Sequence, residues 1–600
     1  MTRLFLLAAT ALMLLGCGPS APPSSETVTQ PAAESAADRQ FAELAQRWLD
    51  GMLALSPISA TQIGEHRHDA EIDDLSAMAQ AKATSFTRET LAALDAIDVS
   101  QLSRTNQVDA ALLRNRLRYD LWNDESLQPL KWNPQIYNDL AGGALYGLMA
   151  REFAPLPDRL KAATARMEKL PTLFAQMREN LDPARVPAVH AETVAKQNRG
   201  IISLIDELIA PHASALAGEE QARLQAAMAS LKKAVEEHQQ WIETQLVPNA
   251  KGDFRLGAKL YDEKLAFALA SPLSRQEIRR RAEAELRSVR ETMYGIARGV
   301  LQGRPNAPEA PEAPSPEQQQ QVIEAALEIA YSERPKRQEV VDAAKAAVEQ
   351  ATRFTRERDL VTVPETPIKI ILMPEFQRGV AVAYCDPPGP LEKHLDTFYA
   401  VSPIPDEWSD EQVDSFLREY NSRMIHLLSI HEATPGHYLQ LAHANRYPSV
   451  LRAVLASGSF IEGWAVYSER VMTQAGYLDG DPLFHLVQLK FYLRAIANAL
   501  LDQGVHVDGM TREQAIDLMV RQTFQQEREA AGKWVRAQLT SAQLPTYFVG
   551  VQEHLDLRAE VERREGAGFD LKRYHDRVLS YGSPPVRYVR QLMLDEPITP

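Results

Sequence analysis

From Gln40 onward the apolar residues recur with helical spacing. Phe41, Leu44, Ala45, Trp48, Leu49, Met52 and Leu53 stand at i, i+3, i+4, i+7, i+8, i+11 and i+12, one face of an amphipathic helix that Pro57 ends. The same period returns over residues 75–118, 156–182, 190–247 and 274–302. Residues 303–318 then hold five prolines among Ala, Glu and Ser, which marks a surface loop or a boundary between lobes. A helix over 319–355 precedes the one stretch with strand character. Ile368 to Leu372 and Val380 to Tyr384 are β-branched runs around a turn containing Gly379, and Thr397 to Val401 adds a third strand.

Helical patterning resumes at Ser409 or Asp410, an N-cap ahead of Val413, Phe416 and Leu417. The helix is expected to run through Met424, Leu427 and Leu428 to His431 and to meet Pro435. Glu462 begins or lies within another helix, with Trp464, Ala465 and Tyr467 packing nearby. Thr511 with Gln514 matches a capping box, and Pro584-Pro585 breaks the last helical run. The pattern predicts a mainly α protein with a small sheet.

Composition changes this picture little: 600 residues, 45% hydrophobic and 24% charged, are ordinary for a globular chain. A formal charge of −15, without a long basic run, argues against nucleic acid as the partner. No Gly-rich phosphate loop and no Gly-x-Ser-x-Gly elbow stands out, so phosphoryl transfer and serine hydrolysis find no support.

The first residues do change it. Arg3 and the apolar run Leu4 to Leu15 form a targeting segment too short to span a bilayer. It ends in Leu14-Leu15-Gly16-Cys17, which resembles a bacterial lipobox. Residues 1–16 are thus expected to be removed and Cys17 lipidated, with the membrane reached through that anchor alone. Gly18, where Asp would retain the protein at the inner membrane, favours the outer membrane and a periplasm-facing body. Residues 17–39 read as a tether rich in Pro, Ser, Ala and Thr, followed by an N-terminal helical lobe (40–318) and a second lobe (319–600) that holds the sheet and the motif on which a catalytic reading rests below. With Cys17 acylated, Cys385 has no disulfide partner.

The chemistry concentrates in His431-Glu432-Ala433-Thr434-Pro435-Gly436-His437 and in Glu462-Gly463-Trp464-Ala465. The zincin motif H-E-x-x-H places two imidazoles at i and i+4 on one helix face, with the Glu beside the metal. Here the second histidine stands at i+6, and on a regular helix the two side chains would point about 120° apart. Pro435 cannot donate to the His431 carbonyl, and Gly436 accepts angles that other residues resist. A break at Pro435-Gly436 would return His437 to His431.

His-Glu-x-x-Pro-Gly-His followed by Glu-Gly-Trp-Ala resembles the bacterial family called domain of unknown function 885. The similarity also takes in Pro57 to Gly64, Arg494 to His506, Phe569-Asp570-Leu571 and Tyr574-His575-Asp576. That family is grouped with metallopeptidases that use two histidines and a downstream glutamate, alongside thermolysin and angiotensin-converting enzyme. The resemblance implies a large two-lobed helical fold with the sheet beside an active-site cleft. It implies zinc on His431, His437 and Glu462, with Glu432 as general base and a peptide as substrate. It also points to His506 and Tyr547 as oxyanion donors. Glu469 is the rival ligand, or the partner that orients a histidine. Arg494 is a candidate for a substrate carboxylate, although a structural ion pair explains it as well. His66-Arg67-His68 reads as an exposed charged turn. Two other functions remain open, a catalytically silent lipoprotein that binds peptides or envelope proteins and a metal-dependent amidase acting on cell-wall peptides.

Overall fold

Helix follows helix through most of the chain, and the ends of each have a local chemical cause. The computed structural model describes residues 35–366, 368–373, 383–392 and 394–599. The expected signal peptide, lipobox and most of the tether lie outside these residues. Ser35 accepts the Asp38 N–H and opens the helix Ala36–Leu55, so helix begins before the expected end of the tether. Its buried face is Phe41, Leu44, Trp48, Leu49 and Leu53, as the spacing requires. Pro57 then starts the next helix, Pro57–Gln62, where its missing N–H costs nothing.

Several expected helices are divided by caps or prolines that the apolar period passes over. The 75–118 stretch is Ala77–Asp95 and Arg104–Trp122, the second capped by Ser103. The 190–247 stretch is likewise divided, into Ala188–Gln197, Gly200–Leu204 and Gly218–Trp241 as its α-helical parts. The 319–355 stretch is Pro316–Ser332, opened by a Ser315/Gln318 capping box, and Val340–Glu357, with Pro335 between them. The helix expected to reach His431 from Ser409 is also two. Asp410–Glu419 ends, and Asn421 accepts the N–H groups of Arg423 and Met424 to start Ser422–Glu432.

Two large apolar cores result. One draws on residues from Ile58 to Leu246, the other on residues from Tyr261 to Met593. The proline-rich loop does not divide them. Ile278, Val289, Met293 and Leu301, from the helix Arg275–Leu301 ahead of that loop, belong to the second core. A smaller core packs the first helix against Leu451.

The sheet has three strands, β1 (Lys369–Leu372), β2 (Ala383–Asp386) and β3 (Phe398–Val401), in the order β1-β3-β2. β1 and β2, expected as neighbours around a turn, do not pair. β3 lies between them, parallel to β1 and antiparallel to β2, with Tyr399 opposite Cys385. Burial explains the order: Tyr399, Ala400 and Val401 are all buried and suit a central strand, whereas Leu372 is 58% exposed. Among the described residues no helix is long and apolar enough to cross a membrane.

Candidate metal centre

The helix Ser422–Glu432 carries His431 and Glu432 in its last turn and stops at Ala433, whose φ of −115° and ψ of −94° leave the helix. The next helix, His437–Ala444, starts after Gly436. Between them the Gly436 N–H donates to the Ile430 carbonyl at 2.9 Å, folding the chain back against the end of the first helix. A Cβ on Gly436 would lie 1.9 Å from the His431 carbonyl oxygen and 2.3 Å from that of Ile430, so only glycine fits. The Pro435 carbonyl accepts from Trp464 Nε1 at 2.8 Å and Ser468 Oγ at 3.4 Å, which ties the break to the helix Gly458–Gln474. Two imidazoles six residues apart thus meet, with ring centroids 4.7 Å apart and planes at 87°.

Glu462 comes from that same helix, which Ser457 caps. Its anchor is a close crossing with the helix Pro545–Glu565. A Cβ on Gly463 would lie 2.3 Å from the Gly550 carbonyl carbon, and one on Gly550 only 1.9 Å from the Ser459 carbonyl oxygen. Glu462 Oε2 stands 3.7 Å from His431 Nε2 and 3.4 Å from His437 Nε2. Hydrogen bonds of this type span about 2.7–3.2 Å. Ligands around a tetrahedral zinc, with metal–ligand bonds near 2.0–2.2 Å, lie about 3.3–3.6 Å apart. Glu462 Oε2 is also buried without a hydrogen bond, as an oxygen reserved for a cation would be. The donor set and its spacing fit a zinc ion.

Glu469, one further turn pair along, is fully buried and meets His431 Nδ1 at 2.7 Å. An Nδ1–H given to Glu469 would leave the Nε2 lone pair of a neutral ring free for a metal. Glu469 thus stands where a group that orients His431 would, and Glu462 where a third ligand would. Glu432 brings a carboxylate oxygen within 4.8 Å of ring nitrogens of both histidines, and it accepts the Cys385 N–H at 3.0 Å from β2. That strand therefore aims the N–H of Cys385 away from β3 and into the site. Burial raises the Glu462 carboxyl, but His431 and His437 outweigh it and hold the group well below the usual carboxylate range. Burial raises Glu469, and the bond to His431 only partly offsets it.

The other sequence candidates separate. Tyr547 stays beside the centre. Burial and then the Glu462 charge push its hydroxyl up to about 12, so it remains a donor at neutral pH. His506 is not brought there. It follows Phe491 by 15 residues on the helix Pro482–His506, about 22 Å along the axis, and Phe491 is the residue whose ring meets His431, at 5.9 Å. Its Nε2 lies 2.9 Å and 2.7 Å from the carbonyl oxygens of Ala537 and Thr540, and its ring stacks on Tyr261. Arg494 lies over the Phe491 ring at 5.4 Å and is ion-paired with Glu529, the structural pairing that the sequence left open. Arg67 and His68 lie in the expected turn, with Arg67 exposed, but His66 is half-buried: its two ring nitrogens meet Asp69 and Glu392, each at 3.0 Å, and its ring stacks on Phe153. Sequence reasoning missed Phe491 and the Cys385 N–H. Neither has a local signal, since each reaches the site through packing with a distant segment.

Two solved structures share this fold. A proposed lipoprotein of unknown function from Shewanella oneidensis is 33% identical, with a TM-score of 0.79, over 92% of this chain and 99% of its own. A second proposed lipoprotein, from Colwellia psychrerythraea, is 18% identical, with a TM-score of 0.76, over 94% of this chain and 100% of its own. No curated protein matches the chain. The family model described as bacterial protein of unknown function (DUF885) matches residues 57–593, nearly the whole described fold, and the chain belongs to that family.

Proposed function

We propose that the protein is a zinc-dependent peptidase of the cell envelope. The reading rests above all on one observation, the buried Glu462 Oε2 set 3.7 Å and 3.4 Å from two imidazole nitrogens, too far to hydrogen-bond well and spaced to share an ion. His431, His437 and Glu462 would hold the zinc, with Glu469 fixing the first of them. Zinc, when bound there, supplies Lewis acidity for water and for the carbonyl under attack.

The chain's own groups perform the rest. Glu432 takes a proton from the attacking water and passes it to the amine nitrogen as the C–N bond breaks, while the water oxygen joins the carbonyl carbon. Tyr547, protonated at neutral pH, donates to the carbonyl oxygen as its charge grows. The Cys385 N–H on β2 donates to Glu432 and so holds that carboxylate in place for proton transfer. Phe491 covers His431 and excludes water from one side. The lipobox expectation and the naming of both structural neighbours as proposed lipoproteins support anchorage through Cys17.

Metal content and cleavage of a mixed short-peptide library, for wild type, His431→Ala and Glu432→Gln, test the proposal. It expects one zinc and cleavage in wild type, loss of metal in His431→Ala, and retained metal without cleavage in Glu432→Gln. A wild-type protein that neither binds zinc nor cleaves would leave a binding lipoprotein in its place. Cleavage of cell-wall fragments but not of peptides would leave the amidase.

A further inference from the structure

The Glu432 carboxylate is steadied from a different core than the candidate ligands. The helices Ser422–Glu432, His437–Ala444 and Gly458–Gln474, which carry His431, His437 and Glu462, bury Leu427, Leu439 and Trp464 in the second core. Glu432 is met by the Cys385 N–H of β2. In the described sheet β2 is four residues long and pairs with β3 alone, so the ladder holds it on one side only. Its end is fixed by Arg151.

Arg151 stands just past the helix Gln135–Met149, whose Tyr137, Ala141, Leu145 and Leu148 are buried in the first core. Arg159 donates to the carbonyls of Leu148, Met149 and Ala154 and so secures the turn that carries Arg151. One Nη of Arg151 donates to the Asp396 carbonyl at 2.7 Å, and the other to those of Asp386 and Pro387 at 2.8 Å and 2.9 Å. The second also pairs with the Asp386 carboxylate at 2.9 Å. The guanidinium lies 4.9 Å from the ring centroid of Phe398, the β3 residue opposite Asp386. Asp386 directly follows Cys385, so one planar fork grips β2 beside the donor and β3 across from it. The connection between the two strands is seated on residues 62–66: the Leu391 N–H donates to the Ile63 carbonyl at 2.9 Å, and Glu392 meets His66 at 3.0 Å. A Cβ on Gly389 would lie 2.4 Å from the Ile63 carbonyl carbon, so the contact is close.

Resting on the peptidase reading, we propose that Arg151 is a positioning residue for the hydrolysis, holding β2 where the Cys385 N–H meets Glu432. Arg151 acts through β2. A shift of that strand by about 1 Å would carry the 3.0 Å bond beyond hydrogen-bond reach and free the carboxylate to turn. A misplacement of that size in a catalytic group costs up to about a hundredfold in rate. The ligand helices, packed in the second core, keep their places.

The test compares wild type, Arg151→Met and Arg151→Lys by zinc content, by kcat and KM on the peptides that wild type cleaves, and by hydrogen–deuterium exchange of the zinc-loaded protein. Lysine keeps a charge beside Asp386 but lacks the fork that reaches three carbonyls. Both variants are expected to hold zinc as wild type does, with KM within about twofold and kcat at least about tenfold lower. Exchange at β2 is expected to quicken at least about tenfold while that of the helix Ser422–Glu432 is unchanged. A tie that merely joins the two cores would leave kcat and β2 exchange as they are, and that result overturns the proposal. So does wild-type kcat in either variant, a fall in kcat with β2 exchange unchanged, or a loss of zinc that parallels the loss of kcat. If Arg151→Met fails to fold, Arg151→Lys decides. If wild type cleaves no peptide the peptidase reading falls, while β2 exchange still upholds or overturns the hold of Arg151 on the Cys385–Glu432 bond.

Discussion

Replacing Gly436 by alanine should separate the two histidines. The added Cβ would stand 1.9 Å from the His431 carbonyl oxygen. An ordinary contact of this kind is about 3.3 Å, so the backbone must retreat by about 1.4 Å. The oxygen belongs to the main chain and the Cβ is fixed by it, so no side chain can swing away to relieve the clash. Metal ligands tolerate displacements of about 0.2 Å, several times less than the required shift. The retreat also breaks the 2.9 Å bond from the Gly436 N–H to Ile430. Overpacking and the lost buried bond together predict a destabilisation of about 2–5 kcal/mol. Zinc affinity, read by competition with a chromophoric chelator, should fall at least about a hundredfold. Urea unfolding of the metal-free protein gives an independent reading of the strain. Gly532 serves as control: nothing lies within 4 Å of its Cβ position, and alanine there should stabilise the helix by about 0.5–1 kcal/mol. A Gly436→Ala protein with wild-type zinc affinity and wild-type unfolding would refute the argument that this break assembles the site.

Three further outcomes follow from buried groups. Glu469→Gln, which removes the charge on His431 Nδ1, should weaken zinc binding about tenfold while leaving the ligand set intact, as chelator competition would show. Arg452 is fully buried on Asp109 at 2.7 Å, so Arg452→Met should cost about 3–5 kcal/mol, and adding Asp109→Leu should recover much of it in urea unfolding. Glu553 is buried beside Ser271, and burial raises its carboxyl to about 7. The folded chain therefore binds this proton more tightly than the unfolded chain does. Relative to Glu553→Gln, wild-type stability should fall by about 3 kcal/mol as pH rises from about 4.5 to 7 and stay level above that, and a flat difference across that window would remove the carboxyl from the account.

The Ser409/Gln412 and Thr511/Gln514 capping boxes, and the buried face from Phe41 to Leu53, were legible in the sequence because each depends on residues within a turn or three of one another. The break at Pro435-Gly436 was legible for the same reason: a missing N–H and a missing Cβ act on the preceding turn. The divided helix at Asn421 went unread, since the apolar period continues across a cap that only hydrogen bonding reveals.

What joins distant segments was decided by the tertiary structure alone. β3 enters between β1 and β2 because its residues can be buried on both faces. Glu469 reaches His431 across 38 residues, and the Cys385 N–H reaches Glu432 across 47. His506 and Tyr547 look alike as downstream donors, yet helix length carries the first about 22 Å from Phe491 while the Gly463–Gly550 crossing holds the second beside Glu462. The sequence by itself determined the helices, their caps and the pair of histidines, through interactions that span a few residues. Which carboxylate faces those histidines followed from how the helices cross, because packing sets distances between residues that the chain does not hold close.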